Sequence, residues 1–358
     1  MTFETIILPF LVSFLTTLIA VPLTLPMIKK AGLIDDPALH KHPGIIHTKP
    51  IPRGGGIPLF LGTLIACIIF LPLTPTTLSI LFASFLALVI GIIDDRFNAK
   101  SKDVSPYFRF LINILCAVIV VGSGVTIPFI TNPFGGILHL DGLILPFLQI
   151  TPGDIVAGLW IIWVMNMLNW SKGVDGQMPG IVAISALVIG ILSFRFPFVL
   201  TSSLIDAQLA FIIVGSSLGF LLFNYHPARL FPGYGATSIY LLLAVVSILS
   251  SAKLATAILV MGIPTVDALF TIARRMIRGK SPFKGDNWHL HHVLLRLGYS
   301  QRQIALFYWI LSALLGTISL TLQSRSKLFA IAMLIVIVGG GLLFLHFGVR
   351  YTHEKDST

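Results

Sequence analysis

The sequence predicts an all-α, polytopic integral membrane protein with about 11 transmembrane helices. Of its 358 residues, 56% are hydrophobic and 11% are charged, whereas an ordinary soluble domain has about 25% charged residues. The mean hydropathy is +0.94. So few polar side chains cannot cover the surface of a water-soluble globule, and that class is excluded. The glycines and prolines follow no low-complexity period, which excludes a disordered chain.

Apolar runs between clusters of charge, proline and glycine mark the expected helices, because about 20 apolar residues cross a bilayer. The first run has no Lys or Arg before residue 29, so we expect a retained anchor and not a cleaved signal peptide. No internal repeat is evident, and we predict one transmembrane domain over 1–358. The runs fall at about 6–28, 56–73, 77–93, 107–127, 153–169, 178–195, 207–224, 236–252, 253–273, 305–322 and 328–348.

The basic residues divide unequally between the two sides of this arrangement. With eleven spans, the loops on one side hold twenty Lys and Arg residues and those on the other side hold four. The positive-inside rule then places the basic side and the C-terminus in the cytoplasm and the N-terminus outside. The net charge of +10 is explained in this way without a nucleic-acid partner. Few ionisable residues lie at mid-span, which disfavours a channel, pump or transporter.

Adjacent carboxylates end the third predicted span at Asp94 and Asp95. Two neighbouring negative charges repel each other, so we expect either Mg²⁺ or a nearby cation to stabilise them. The alternative is a polar collar that terminates a helix.

A polar segment also ends the fifth span. Asn166 and Asn169 are three residues apart and share one helical face. Lys172, Gly173 and Asp175 follow, and the glycine allows the backbone to approach a ligand closely. A helix stop with a glycine turn would explain the glycines but not the paired amides.

Three further cytoplasmic segments carry candidate binding residues. Asn224 and Phe231, in a segment rich in glycine and proline, suit a nucleobase and phosphates, although a plain turn is an equal alternative. Lys49 and Arg53 precede a run of three glycines and could hold phosphate. A third segment lies in the longest basic loop and contains His289, His291 and His292. Histidines can bind zinc, but the basic surroundings favour an anion site over a zinc site.

Taken together and in this order, the segments resemble the polyprenyl-phosphate N-acetylhexosamine-1-phosphate transferases, which form glycosyltransferase family 4. The similarity runs from about Gly32 to Gly298. The histidine segment is most similar to the branch that uses undecaprenyl phosphate and N-acetylglucosamine-1-phosphate. The resemblance implies a bacterial inner-membrane enzyme with cytoplasmic active-site loops. Such an enzyme transfers sugar-1-phosphate from a UDP-amino sugar to undecaprenyl phosphate, releases UMP and starts a cell-envelope polysaccharide.

The resemblance also implies residue roles and a cofactor. Asp94 or Asp95 would deprotonate or orient the lipid phosphate. Together with Asp175 they would hold Mg²⁺, or Mn²⁺ in its place. Asp175 and Asn224 would contact uridine or metal, and Phe231 would stack on uracil. The phosphates would be held by Lys49, Arg53 and the histidine segment. Membrane lipids are expected partners, and a homodimer is left open.

Two positions depart from the family pattern. The family usually has Asp where this chain has Lys172, and again where it has Tyr234. Both changes remove acidic groups, so we expect a rearranged metal site in which Lys172 partly does the work of a cation. The alternative reading is a catalytically degraded relative that binds lipid phosphate or a partner.

Overall fold

The computed structural model describes residues 4–39, 45–102, 104–142, 149–194, 200–249, 254–283 and 285–355, with the backbone alone for 200–203 and 346–355. Helices dominate this part of the chain, and two short two-stranded antiparallel sheets complete it. In chain order the elements are α1 Glu4–Lys30, β1 Ile34–Asp35, β2 Ile51–Pro52, α2 Gly56–Phe70, α3 Pro75–Asn98, α4 Pro106–Gly122, β3 Phe129–Thr131, β4 Ile137–His139, α5 Pro152–Trp170, α6 Gln177–Ser193, α7 Leu200–Asn224, α8 Thr237–Val246, α9 Leu254–Val260, α10 Gly262–Ile277, α11 Leu290–Arg296, α12 Gln301–Thr321 and α13 Ser324–Lys355.

Local sequence explains where several helices begin. Thr74 caps α3 by accepting a hydrogen bond from the backbone of Thr77, and a proline follows the cap. Thr151 and Asp154 form a reciprocal capping box at the start of α5. Such caps satisfy the free N–H groups of the first helical turn.

Each of the eleven predicted apolar runs contains helix, which confirms the all-α class. The predicted count of eleven membrane spans is not confirmed. By length and composition, five helices of the described chain could cross a membrane: Glu4–Lys30, Pro75–Asn98, Leu204–Asn224, Gln301–Thr321 and Ser324–Leu345. The predicted ninth span is instead the pair α9 and α10, bent by 79°, which gives a sixth if the pair is one span. Four apolar helices are shorter, with α8 only 10 residues long.

The helices pack closely through small and hydroxyl side chains. The Ser13 hydroxyl of α1 donates to the carbonyl of Ile212 in α7 at 2.8 Å, and Thr17 donates to Ser216 at 3.1 Å. Such groups hold helices together where water is absent. All ten residues of α8 are buried, so this helix lies in the middle of the packed bundle.

The loop between α4 and α5 contains a short β-hairpin. Strands β3 and β4 pair antiparallel, with Ile130 opposite Leu138. Cys67 and Cys116 are buried and form no disulfide.

Candidate active site

The segment before α2 is fastened to the loop that follows α7. The backbone N–H of Phe231 donates to the carbonyl of Pro52 at 2.8 Å, and the carbonyl of Phe231 accepts from Gly55 at 2.9 Å. The N–H of Gly56 donates to the carbonyl of Pro232 at 2.9 Å. These bonds place Arg53 beside a loop that lies almost 180 residues away in sequence.

Glycines allow the 231–235 loop to approach α2 and α3 closely. A Cβ atom on Gly56 or on Gly91 would overlap the backbone of Gly235. Gly233 has a φ of +67°, and a Cβ there would overlap the carboxylate of Asp95. The glycine run before α2 and the glycine in α3 therefore allow the 231–235 loop to lie directly on both helices.

Asp95 is fully buried and fastens this loop to α3. Its carboxylate accepts from the backbone N–H of Tyr234 at 2.8 and 3.0 Å and from that of Gly235 at 3.3 Å. The guanidinium of Arg53 forms an ion pair with it, Nε to Oδ1 at 2.9 Å. The stabilising cation expected from the sequence is therefore an arginine.

Asp94 is paired in a similar way. Its Oδ1 lies 2.5 Å from Nε of Arg109, which is carried by α4. Its Oδ2 is buried and has no hydrogen-bond partner among the described residues. Burial of both carboxylates (Asp94 is 1% exposed and Asp95 0%) shows that they are not a solvated collar at a helix end.

Arg53 joins a third carboxylate to this group. Its Nη1 donates to Asp35 at 2.9 Å and to Asn98 at 2.7 Å. Asp35 and Arg109 were not among the predicted site residues. Both are charged residues beside segments singled out in the sequence, but their pairing depends on the tertiary fold. We name six residues the carboxylate cluster: Asp35, Arg53, Asp94, Asp95, Arg109 and Lys172.

Lys172 and Tyr234, the two departures from the family pattern, are neighbours in space. The Lys172 ammonium donates to the carbonyl of Gly233 at 2.9 Å and lies 5.7 Å from the centre of the Tyr234 ring. Arg109 lies 5.3 Å from the same ring centre. A cation within about 6 Å of an aromatic face is attracted by its quadrupole. Burial, together with the nearby Arg53 charge, lowers the pKa of Lys172 to about 7.

The turn after α5 is held by Asp175 and Asn224. The Asp175 carboxylate lies 2.7 Å from Nδ1 of His226 and accepts from the backbone of Ala228 at 3.1 Å. The Asn224 side chain accepts from the N–H of Gly176 and donates to the carbonyl of Leu230. Both side chains therefore fix the shape of the surrounding loops.

A cavity of about 140 Å³ opens between these segments. The Phe231 ring stands edge-on to the imidazole of His47, with the ring centres 5.1 Å apart. Six predicted site residues line the cavity, and they are Arg53, Lys172, Gly173, Asp175, Asn224 and Phe231. The remaining lining residues were not predicted to belong to a site: Asp35, Ile46, His47, Val174, Met178, Pro232 and Gly233.

Eight predicted residues do not line this cavity, among them Lys49, Asn166 and Asn169. Lys49 is exposed. Asn166 donates to the carbonyl of Ile162 in its own helix at 2.8 Å. Oδ1 of Asn169 is buried and has no hydrogen-bond partner in the described chain.

The histidine segment lies directly behind the Lys172 turn. His289 pairs with Asp267 of α10 at 2.8 Å, and a Cβ on Gly173 would overlap the ring of His291. Burial lowers the pKa of His291 well below its usual value and that of His292 to about 4. These two imidazoles are therefore neutral near pH 7 and support the turn without supplying positive charge.

Asp267 was missed in the sequence, although it lies inside the predicted span 253–273. A carboxylate within an apolar run is itself a signal of a functional or structural partner. Its Oδ1 accepts from the backbone of Leu290 at 2.8 Å, while Oδ2 contacts His289. Asp267 thus positions the start of α11.

A second group of charged residues forms what we call the basic loop, 274–288 without residue 284. Asp286 lies 2.8 Å from Arg274 and 2.9 Å from Arg275. Burial by itself would raise the pKa of Asp286, but hydrogen bonds from Arg275 and from the backbone of Trp288 lower it to about 2. A cavity of about 200 Å³ is lined by Arg274, Arg275, Arg278, Lys280, Gly285, Asp286, Asn287 and Trp288.

The predicted metal site of Asp94, Asp95 and Asp175 is not assembled in this structure. Asp94 pairs with Arg109 and Asp95 pairs with Arg53. Asp175 pairs with His226. Across the described ranges, no group of three His, Cys, Asp or Glu side chains is placed to hold a metal ion. The residues present therefore fit neither the three-carboxylate Mg²⁺ site implied by the resemblance nor the zinc alternative for the histidines.

Comparisons with known proteins agree on one family. Residues 77–251 match the model of glycosyl transferase family 4. The chain is 30% identical to the undecaprenyl-phosphate alpha-N-acetylglucosaminyl 1-phosphate transferase of Haemophilus influenzae, covering 97% of this chain and 93% of that protein. It is 28% identical to the probable undecaprenyl-phosphate N-acetylglucosaminyl 1-phosphate transferase of Bacillus subtilis, over 93% and 90%. It is also 28% identical to the decaprenyl-phosphate N-acetylglucosaminephosphotransferase of Mycobacterium tuberculosis, over 82% and 78%.

Proposed function

This chain belongs to glycosyl transferase family 4, and on that premise we propose that it transfers N-acetylhexosamine-1-phosphate from a UDP-sugar to undecaprenyl phosphate. N-acetylglucosamine is the sugar we favour, because the relatives named above use it. An oxygen of the lipid phosphate attacks the sugar-bound phosphorus, the bond to the UMP oxygen breaks, and UMP leaves. One phosphoanhydride replaces another.

The observation that carries this proposal is the composition of the 140 Å³ cavity. Phe231 supplies an aromatic face for uracil, and Arg53 and Lys172 supply positive charge for the two phosphates. Phosphoryl transfer depends mainly on positioning and charge neutralisation. The cavity joins these groups at the ends of α5 and α7, where a water-soluble nucleotide and a lipid phosphate would meet.

Four further predicted residues take the following roles in the proposal. Oδ2 of Asp94, which has no hydrogen-bond partner in the described chain, orients the lipid phosphate. Asp175 and Asn224 hold the turn that frames the nucleotide. Asp95 keeps the 231–235 loop against α3, so it acts by positioning Phe231.

We further propose that the protein lies in the bacterial inner membrane with its N-terminus outside, its C-terminus in the cytoplasm and the cavity on the cytoplasmic side. The unequal distribution of Lys and Arg supports this orientation. Labelling of single cysteines introduced at residue 3 and residue 356 tests it. Equal protection of both positions from an external reagent contradicts an odd number of spans.

Turnover of radiolabelled UDP-N-acetylglucosamine with undecaprenyl phosphate tests the function. We expect labelled lipid from the wild type, and a loss of at least tenfold in Phe231→Ala because base stacking contributes about 1–3 kcal/mol. Phe134→Ala is the matched control, since Phe134 is 95% exposed in the β3–β4 hairpin. A parallel reaction with UDP-N-acetylgalactosamine tests the choice of sugar.

A second candidate is a catalytically degraded relative that binds a lipid phosphate or a partner. The two lost acidic positions, Lys172 and Tyr234, favour it. Absence of labelled lipid together with retained binding of undecaprenyl phosphate would support this reading and contradict the transferase.

A further inference from the structure

We infer that this site holds its nucleoside diphosphate with the chain's own cations, chiefly Lys172 together with Arg53, and works without a resident divalent cation. The inference rests on the proposed function. It concerns how the charge of the substrate is neutralised, which the family assignment alone does not decide.

The charge of the carboxylate cluster is the first argument. Its three carboxylates are equalled in number by three cations. Arg53 and Arg109 pair with the carboxylates, and Lys172 lies over the Tyr234 ring. In proteins Mg²⁺ is usually bound through one or two carboxylates together with substrate phosphates and waters. Here Arg53 bonds two of the carboxylates directly and Arg109 bonds the third, so the charge of each carboxylate is already matched by a neighbouring arginine.

The supply of ligand oxygens is the second argument. Both oxygens of Asp95 accept hydrogen bonds from the 234–235 backbone, and Oδ1 also pairs with Arg53. Asp94 retains one oxygen without a partner in the described chain, on a carboxylate already neutralised by Arg109. Such an oxygen is a weak ligand for a divalent cation, because the Arg109 guanidinium already pairs with the same carboxylate.

The placement of Lys172 is the third argument. One N–H of its ammonium donates to the carbonyl of Gly233, which leaves two N–H groups of a side chain that lines the cavity. The Tyr234 ring centre lies 5.7 Å from the Lys172 ammonium and 5.3 Å from the Arg109 guanidinium, and a tyrosine at this position offers neither cation a carboxylate. The two departures from the family pattern therefore act together: Tyr234 gives Lys172 no carboxylate partner, and Lys172 keeps N–H groups for a ligand.

Binding of UDP to the full-length purified protein, measured by calorimetry in excess EDTA and again in excess Mg²⁺, tests the inference. We expect the two dissociation constants to agree within about twofold. Lys172→Ala should weaken binding in EDTA by at least about tenfold, as expected for loss of a charged hydrogen-bond donor, and Lys172→Arg should restore part of it. Lys102→Ala is the control, because Lys102 is exposed and does not line the cavity.

Two measurements on the wild type test the inference even if Lys172→Ala does not fold. Electron paramagnetic resonance of added Mn²⁺ should detect no ion bound to the protein without nucleotide. The transfer rate of the wild type in EDTA should be at least half that in Mg²⁺.

The failures can be told apart. UDP binding or transfer that requires Mg²⁺, or a protein-bound Mn²⁺ signal, overturns the inference and leaves the transferase proposal standing. No UDP binding in either buffer overturns the proposed function and the inference with it.

Discussion

The carboxylate cluster and the basic loop are both rich in charge, but they balance it differently. In the carboxylate cluster three carboxylates face three cations, and all three carboxylates are buried. In the basic loop four cations line one cavity with a single carboxylate, Asp286. The excess of cationic side chains therefore lies in the basic loop, while the cluster has equal numbers of carboxylates and cationic side chains.

The two regions also differ in how they are built. The carboxylate cluster draws on residues from the β1–β2 segment, α3, α4 and the turn after α5, and is held by bonds between residues as far as 140 positions apart. The charged groups of the basic loop come from one continuous stretch and pair at separations of 11 and 12 residues. A change in the cluster should therefore disturb several elements, and a change in the loop should stay local.

The largest effect is expected for Asp95→Asn. The change leaves Arg53 without one partner and removes an acceptor from the 234–235 backbone, and loss of one member of a buried ion pair costs about 3–5 kcal/mol. The midpoint temperature of thermal unfolding and the transfer rate should both fall sharply, the rate by at least 100-fold. Asp141→Asn, on the exposed hairpin, is the control. A variant with more than a tenth of wild-type activity would show that the cluster is not needed.

Asp286→Asn should lower the free energy of unfolding by less than Asp95→Asn does, and its effect should be confined to the basic loop. The carboxylate bonds Arg274 and Arg275, and hydrogen bonds to charged groups contribute about 1.5–3 kcal/mol. Hydrogen exchange should accelerate in 282–290 and stay unchanged in 231–235. Faster exchange in both segments would contradict the separation between the two regions.

The same carboxylate predicts a pH dependence. Its pKa is lowered to about 2 in the folded chain, against about 3.9 in an unfolded one. The stabilisation is therefore complete above about pH 4 and is lost as the pH falls towards 2. Exchange in 282–290, corrected for the intrinsic rate, should not change between pH 7 and pH 5, and Asp286→Asn should remove the protection gained between pH 3 and pH 5.

Gly173→Ala tests the contact between the Lys172 turn and the histidine segment. The new methyl group would overlap the ring of His291, and overpacking of this kind costs about 1–3 kcal/mol. Affinity for UDP should fall several-fold as the Lys172 turn is displaced. Gly158→Ala, where the nearest atom lies 4.0 Å away, should leave stability and affinity unchanged.

The smallest effect is expected for Arg278→Ala. Arg278 is exposed at the end of α10, and surface substitutions usually change stability by no more than about 0.5 kcal/mol. Thermal unfolding should be indistinguishable from the wild type. A loss comparable to that of Asp286→Asn would mean that the basic loop depends on its total charge and not on the Asp286 pairs.

The sequence by itself determined the helical class, the positions of the apolar helices and six of the thirteen residues that line the cavity. Hydropathy is a local property, so a run of apolar residues predicts a helix without knowledge of its neighbours. Asp94, Lys172 and Phe231 stood out because each follows or ends such a run. The two departures at Lys172 and Tyr234 were visible in the same way.

Only the tertiary structure decided how charges pair and how long each span is. Whether Asp95 meets a metal or an arginine depends on the position of Arg53, which is set by backbone bonds between the β2 segment and Phe231. The 79° bend between α9 and α10 and the 10-residue length of α8 also differ from the spans that hydropathy predicted. These are contacts between residues distant in sequence, and their energies depend on separation and burial, which no local pattern contains.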